Sequence, residues 1–167
     1  GLAPDERRLV QDAAVLGKTF AKEALATVAG LGEQAVDELL GSLVRKEILT
    51  VQADPLSPER GQYAFLGDLV LFVAYETLSK KERKVRHLAV AAYLESAFDE
   101  DDVVEVVASH YLQAYEAAPD AADAPEIRMR AGETLSRAGE RAASLAAAGE
   151  AKRYFEQAAG LTDTTTT

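Results

Sequence analysis

The chain has 167 residues and contains no cysteine, no tryptophan and a single methionine. The absence of cysteine excludes disulfide bonds, thiolate catalysis and cysteine-ligated zinc sites. No apolar run approaches the roughly 20 residues that a helix needs to span a bilayer, and no charged-then-apolar leader opens the sequence. The opening residues Gly1-Leu2-Ala3-Pro4 are typical of a segment cut from a longer protein, and with these absences we expect a cytoplasmic fragment.

Basic residues are also scarce, since the chain has 18 Lys and Arg but 28 Asp and Glu, which gives a net charge of −10. A polyanionic partner needs clustered Lys and Arg, so this balance argues against nucleic acid. One basic island, from Lys80 to Arg86, carries five basic residues and one acidic residue. It is either a docking surface or a solvated helix face. A hydrophobic content of 48% indicates a globular chain rather than a disordered one.

The residues that carry chemistry are few. His87 and His110 are the two histidines, and each lies inside a helical pattern, where we expect a structural or surface role. The acidic run at residues 99–102 lacks the ligand spacing and the central glycine of a calcium loop. Gly30 and Gly32 lack the Lys-Ser/Thr pair of a phosphate loop. We therefore expect no enzyme activity, no cofactor and no metal site.

Apolar residues recur at helical spacing in the first half of the chain, which predicts three helices. The first ends near Gly17, and the second covers Phe20 to Val28. The third has the clearest stripe, formed by Ala35, Val36, Leu39, Leu40, Leu43 and Val44. Ile48 to Val51 and Gln62 to Leu66 are typical of two strands joined by a turn-rich loop. Three helices followed by a two-stranded wing is the order of a winged helix.

The apolar segment Leu69–Tyr75 would suit a buried strand or a helix, and Asp68 at a helix N-cap position favours the helix. A helix that is apolar on every side must be buried on every side, so part of this one would face a domain outside the sequence. Leu71 or Phe72 should then lie in an exposed apolar patch. With a basic rim, this patch forms a candidate interdomain interface of Leu71, Phe72, Lys80, Lys81 and Lys84.

The second half of the chain shows further helix starts. Ser79 and Glu82 form a capping box, Asp102 and Glu105 repeat that spacing, and Asp123 precedes a helix that should run to about Ala147. Beyond it, small and aromatic residues have the spacing of the packing positions in a tetratricopeptide repeat, namely Gly139, Ala151, Phe155 and Ala158. Small residues let two helices approach, and Phe155 would fill the space between them.

Several stretches together resemble a known arrangement. They are Arg8–Phe20, Leu43–Glu47 and above all Gln62–Leu78, which reads QYAFLGDLVLFVAYETL. They resemble the winged-helix and tetratricopeptide-repeat region of bacterial signal-transduction ATPases of the STAND type, most closely actinobacterial regulators of the adenylate/guanylate cyclase family. Such proteins have a cyclase domain, an ATPase domain, a winged helix and repeats in that order.

The resemblance implies a mainly α fold, with a winged-helix domain at residues 1–78 and tetratricopeptide-like helical hairpins at residues 79–161. Residues 162–167 would form a disordered tail. It implies a non-catalytic regulatory and protein-interaction fragment, whose partners are the ATPase domain of the same parent chain and proteins bound by the repeat helices. Many relatives have a nucleotide-contacting histidine where this chain has Gly67, so we do not expect the wing to sense nucleotide directly.

The alternative is a winged-helix DNA-binding transcriptional regulator. Its third helix would have to face phosphates, yet Glu33, Asp37, Glu38 and Glu47 there outnumber Arg45 and Lys46. The wing loop adds only Arg60. The charge balance therefore favours a protein-interaction module with no nucleic acid and no membrane partner.

Overall fold

A computed structural model describes residues 1–163 of the protein. In this part of the chain the fold is mainly helical, with eight α-helices and one small antiparallel sheet of three strands. Residue contacts divide the chain into unit 1, Gly1–Ser79, and unit 2, Lys80–Thr167. Within residues 1–163, no helix combines the length and the apolar character needed to cross a membrane.

Unit 1 contains four helices and three strands. In chain order they are α1 (Pro4–Leu16), β1 (Thr19–Phe20), α2 (Lys22–Ala29), α3 (Glu33–Arg45), β2 (Leu49–Val51), β3 (Tyr63–Phe65) and α4 (Asp68–Glu76). Helix α2 ends at Gly30, whose left-handed φ of 69° lets its N–H bond back to the carbonyls of Ala26 and Thr27. The sheet has the order β1-β3-β2.

Strand β1 corrects the sequence-based expectation. Phe20 was predicted to open the second helix and the wing to have two strands, but Phe20 lies in β1 and pairs with Tyr63 of β3. The Phe20 ring also meets Phe65 edge-on, with 6.2 Å between ring centroids. A two-residue strand has no periodicity of its own, and it forms because a distant strand supplies the pairing and the aromatic contacts.

The core of unit 1 lies between α1, α2, α3 and the sheet. Its most deeply buried side chains are Leu9, Leu25, Val36, Leu40, Leu43 and Leu49. One buried carboxylate joins α1 to the end of α3. Glu6 accepts hydrogen bonds from Lys46 Nζ at 2.8 Å, from Ser42 Oγ at 2.6 Å and from the backbone N–H of Ala3 at 2.8 Å. These bonds, first those from Lys46 and Ser42, lower the pKa of Glu6 to about 2.

Unit 2 contains four helices, which are α5 (Lys80–Ala97), α6 (Glu100–Ala117), α7 (Ala124–Ser144) and α8 (Ala148–Asp163). Each packs chiefly against the helices that precede and follow it in the chain. Small residues and a few large ones share the core, which includes Ala91, Val107, Ala108, Tyr111, Ala131, Leu135 and Leu161. The many alanines let neighbouring helices approach closely.

The ends of these helices differ from several sequence-based expectations. Helix α6 begins at Glu100 after Asp99, so Asp102 lies in its first turn and does not precede it. Helix α7 ends at Ser144, before a turn in which Ala146 adopts a φ of 59°. Helix α8 includes Thr162 and Asp163, which were assigned to the tail, and the rest of that predicted tail, residues 164–167, lies outside the described part.

Candidate functional site

Helix α4 is apolar all round, but only one side of it is covered. Val70, Leu71, Ala74 and Tyr75 point to the core of unit 1. The opposite side carries Leu69, Phe72 and Val73, which are 72%, 59% and 52% exposed. We call these three residues the α4 face. The expected exposed apolar residue is therefore Phe72, whereas Leu71 is half-buried in the unit 1 core.

The start of α4 also differs in detail from the expectation. Gly67 holds the N-cap position and Asp68 is the first helical residue. The Asp68 carboxylate lies 3.1 Å from Lys18 Nζ in an exposed ion pair within unit 1. An acidic residue in the first turn still stabilises the helix through the N-terminal partial charge.

A groove of about 390 Å³ lies between α1 and α4, beside the α4 face. We call it the α1/α4 groove, lined by Leu2, Arg7, Val10, Gln11, Ile48, Leu69, Val70, Val73, Ala74 and Thr77. Leu69 and Val73 belong to both surfaces, so the α4 face and the groove form one continuous apolar region. Gln11 Nε2 on α1 donates to Thr77 Oγ1, at the C-terminal end of α4, across 3.0 Å, and this exposed hydrogen bond joins the two helices.

The three lysines of the candidate interface lie in unit 2, at the start of α5. Together with Glu116 and Asp120 they line a cavity of about 580 Å³. Lys84 Nζ is bound to Asp123 Oδ1 at 2.8 Å, and its side chain is largely buried. Asp123 is the N-cap residue of α7, but its carboxylate binds Lys84 and makes no capping hydrogen bond to the helix. Lys80 and Lys81 are exposed.

Of the four predicted packing residues, Gly139 lies on α7 and Ala151, Phe155 and Ala158 lie on α8. The ring of Phe155 lies directly on Gly139, where an added Cβ would sit 2.6 Å from Phe155 Cε1. Ala151 is buried, and Ala158 packs on the edge of the unit 2 core. Phe155 nevertheless remains 43% exposed on its outer side.

Sequence reasoning missed the relation between the two histidines. His87 on α5 and His110 on α6 are both buried, and their Nδ1 atoms lie 2.9 Å apart in a hydrogen bond. Burial, then the charges of His110 and Arg83, lower the pKa of His87 to about 3, and burial lowers the pKa of His110 to about 4. The available signal was that each histidine occupies the apolar face of its helix.

The described residues offer little chemistry beyond these contacts. Within residues 1–163, no group of three or more His, Asp or Glu side chains is arranged to hold a metal ion. No family model matches the chain, and comparison with curated proteins and with solved structures found no significant match.

Proposed function

We propose that this chain is a non-catalytic regulatory and protein-interaction module of a multidomain signalling ATPase or adenylate/guanylate cyclase, located in the cytoplasm. It would relay signals between a repeat array and the ATPase domain of the same parent chain. The observation that carries the proposal is the α4 face, where three large apolar side chains are each more than half exposed on one short helix. Contiguous exposed apolar surface of this kind marks interaction sites.

The order of elements in unit 1 supports a winged-helix assignment. Three helices precede β2 and β3, and the loop between these two strands is internally hydrogen-bonded, with Gly61 N–H donating to Gln52 O at 2.8 Å. Helix α4 follows the β3 strand directly and is held by the unit 1 core on one side only. A relay element needs this geometry, because one side of the helix stays anchored while the other stays available to a second domain.

The packing in unit 2 supports a tetratricopeptide-like assignment. Its helices pack in chain order, and Phe155 is seated on Gly139 between α7 and α8. Repeat proteins bury their apolar surface by stacking neighbouring units, and helices that pack on their chain neighbours fit such an arrangement.

Replacing Phe72 with serine tests the proposal. We expect Phe72→Ser to weaken association with the separately expressed ATPase domain of the parent protein by about thirtyfold, the effect of an interface hot spot. The measurement is a binding titration, and the melting temperature of the variant should remain that of the wild type because Phe72 lies outside the core.

The matched control is Leu56→Ser, which removes an apolar side chain that is 92% exposed in the wing loop of the same unit. It should leave association unchanged. If Phe72→Ser alters the melting temperature, Leu69→Ser provides a second test on the same face. Association that is unaffected by either α4 variant would overturn the proposed function.

A further inference from the structure

The shape of the α1/α4 groove limits what it can hold. One wall is α4, whose nine residues make a helix about 13 Å long. The other wall is α1, and Leu2 and Ile48 add to the apolar lining. On one side of a partner helix, apolar side chains at positions i, i+3 or i+4, and i+7 span about 10 Å, so a row of this kind fits along the groove.

The two uncharged polar side chains in the groove lining, Gln11 and Thr77, are bonded to each other. Gln11 donates to the Thr77 hydroxyl, and that hydroxyl donates in turn to the carbonyl of Ala74 at 2.6 Å. A small polar ligand needs several free, convergent hydrogen-bonding groups to fix its orientation. Most of the groove lining is instead apolar, which suits contact with the apolar side chains of a partner helix.

Among the described residues that line the groove, Arg7 is the one that is charged. Its guanidinium is exposed at the groove and makes no ion pair or hydrogen bond with any of residues 1–163. The neighbouring acid Glu6 is occupied by Lys46 and Ser42. A single unpaired cation at the edge of an apolar groove favours a partner that places a carboxylate opposite it, because complementary charges fix the register of docking.

We propose that the α1/α4 groove binds one amphipathic α-helix of a partner protein, whose apolar edge fills the groove and whose flanking Asp or Glu pairs with Arg7. This inference rests on the proposed function, since it specifies the chemistry that the apolar region of unit 1 recognises. The partner helix contributes two or three apolar side chains at the spacing given above and one acid beside them.

Two synthetic helical peptides test the pairing. Each has about 14 residues, or four turns, and the same leucine edge, and they differ only in carrying Glu or Lys at the flanking position. Both are labelled and titrated into the full chain. Because Arg7 is exposed, we expect a moderate preference, with the Glu peptide binding about fivefold more tightly than the Lys peptide.

Variants of the chain locate the effect. Arg7→Glu should reverse the preference to the Lys peptide, whereas Arg8→Glu, an identical charge change at an adjacent exposed residue outside the groove lining, should preserve it. Val73→Asp should weaken both peptides at least tenfold, because it places a charge in the apolar lining. A third peptide with serines on its apolar edge should not bind.

Three results from the peptide titrations would overturn this inference. They are no binding of either leucine peptide at micromolar concentration, a preference that survives Arg7→Glu, and binding by the serine peptide. A dimer in sedimentation equilibrium that Val73→Asp dissolves would show that a second copy of the chain occupies the groove, which also contradicts the proposal.

Phe72→Ser separates the two hypotheses, since Phe72 does not line the groove. It should weaken association with the ATPase domain, whereas Arg7→Glu, which lies outside the α4 face, should change the preference between the two peptides. If the leucine peptides do not bind but Phe72→Ser still weakens association with the ATPase domain, only the hypothesis of a helix-binding groove is contradicted. An absent Phe72 effect contradicts the proposed function alone.

Discussion

The His87–His110 pair places two titratable groups where water cannot reach them. One Nδ1 carries the hydrogen and the other accepts it across 2.9 Å, so the bond exists only while at least one imidazole is neutral. Burial lowers both pKa values far below the ordinary 6.5, to about 3 for His87 and about 4 for His110. Between these pKa values and the ordinary 6.5, both histidines bind protons in the unfolded chain but not in the folded chain. The stability of unit 2 therefore depends on pH.

We expect the free energy of unfolding of unit 2 to fall as the pH falls below about 6.5, where unfolded histidines begin to protonate. The loss should reach about 2 kcal/mol for each histidine between about pH 7.5 and pH 5. Glu6 does not interfere in this window, because its pKa of about 2 makes unit 1 lose stability only below the ordinary carboxylate value of 4.5. Urea denaturation followed by circular dichroism measures the effect.

The double variant His87→Asn with His110→Asn provides the comparison. It removes both titrating groups and should abolish most of this pH dependence, while either single change should leave about half of it. A double variant that loses stability as steeply as the wild type over the same pH range would contradict the assignment to this pair.

At the scale of the elements, α7 and α8 approach closely where Gly139, which has no side chain, lies against the ring of Phe155. Gly139 has ordinary helical geometry, so the close approach of the Phe155 ring, rather than the backbone, favours glycine at this position. Gly132, two turns earlier on α7, offers the opposite case, because an added Cβ there meets nothing within 4 Å. The two positions form a matched pair on one helix.

We expect Gly132→Ala to stabilise unit 2 by about 0.5–1 kcal/mol, the ordinary helix preference for alanine over glycine. Gly139→Ala should instead destabilise it by about 1–3 kcal/mol, because the Phe155 ring must move away or the helices must separate. Thermal and urea denaturation of both variants test this contrast. Adding Phe155→Leu to Gly139→Ala should recover part of the loss, and equal effects at the two glycines would contradict the close contact.

The whole molecule is acidic, and the distribution of its charges matters more than the total. Lys22 is bound to Glu33 and Asp37, and Lys46 is bound to Glu6. The basic residues around α3 are thus largely neutralised by the chain itself, which leaves Arg45 as the exposed cation of that helix. Binding to DNA would need several cations free to displace counterions.

We therefore expect binding to duplex DNA that is weaker than about 10⁻⁴ M at physiological salt. Fluorescence anisotropy with a labelled duplex measures it. Replacing Glu33 and Asp37 with lysine should introduce weak, salt-sensitive binding, which serves as the positive control. Sub-micromolar binding by the wild type that is abolished by Arg45→Ala or Arg60→Ala would instead support the transcription-factor alternative.

Local pattern was sufficient to predict most of the helices. The stripe from Ala35 to Val44 lies in α3, the segment Leu69–Tyr75 is helical, and α5 begins directly after Ser79. These features depend on side-chain periodicity and on residues within one or two turns, which the sequence displays directly. The chain's lack of cysteine and its acidic balance were equally available from composition.

Tertiary structure alone decided the rest, because it depends on residues far apart in the chain. Strand β1 exists through its pairing with β3, and the His87–His110 bond joins residues 23 positions apart. The exposed side of α4 could not be read from a helix that is apolar all round, since only packing against α1 and the sheet determines which side is buried. The α1/α4 groove, with Arg7 in its lining, follows from that packing.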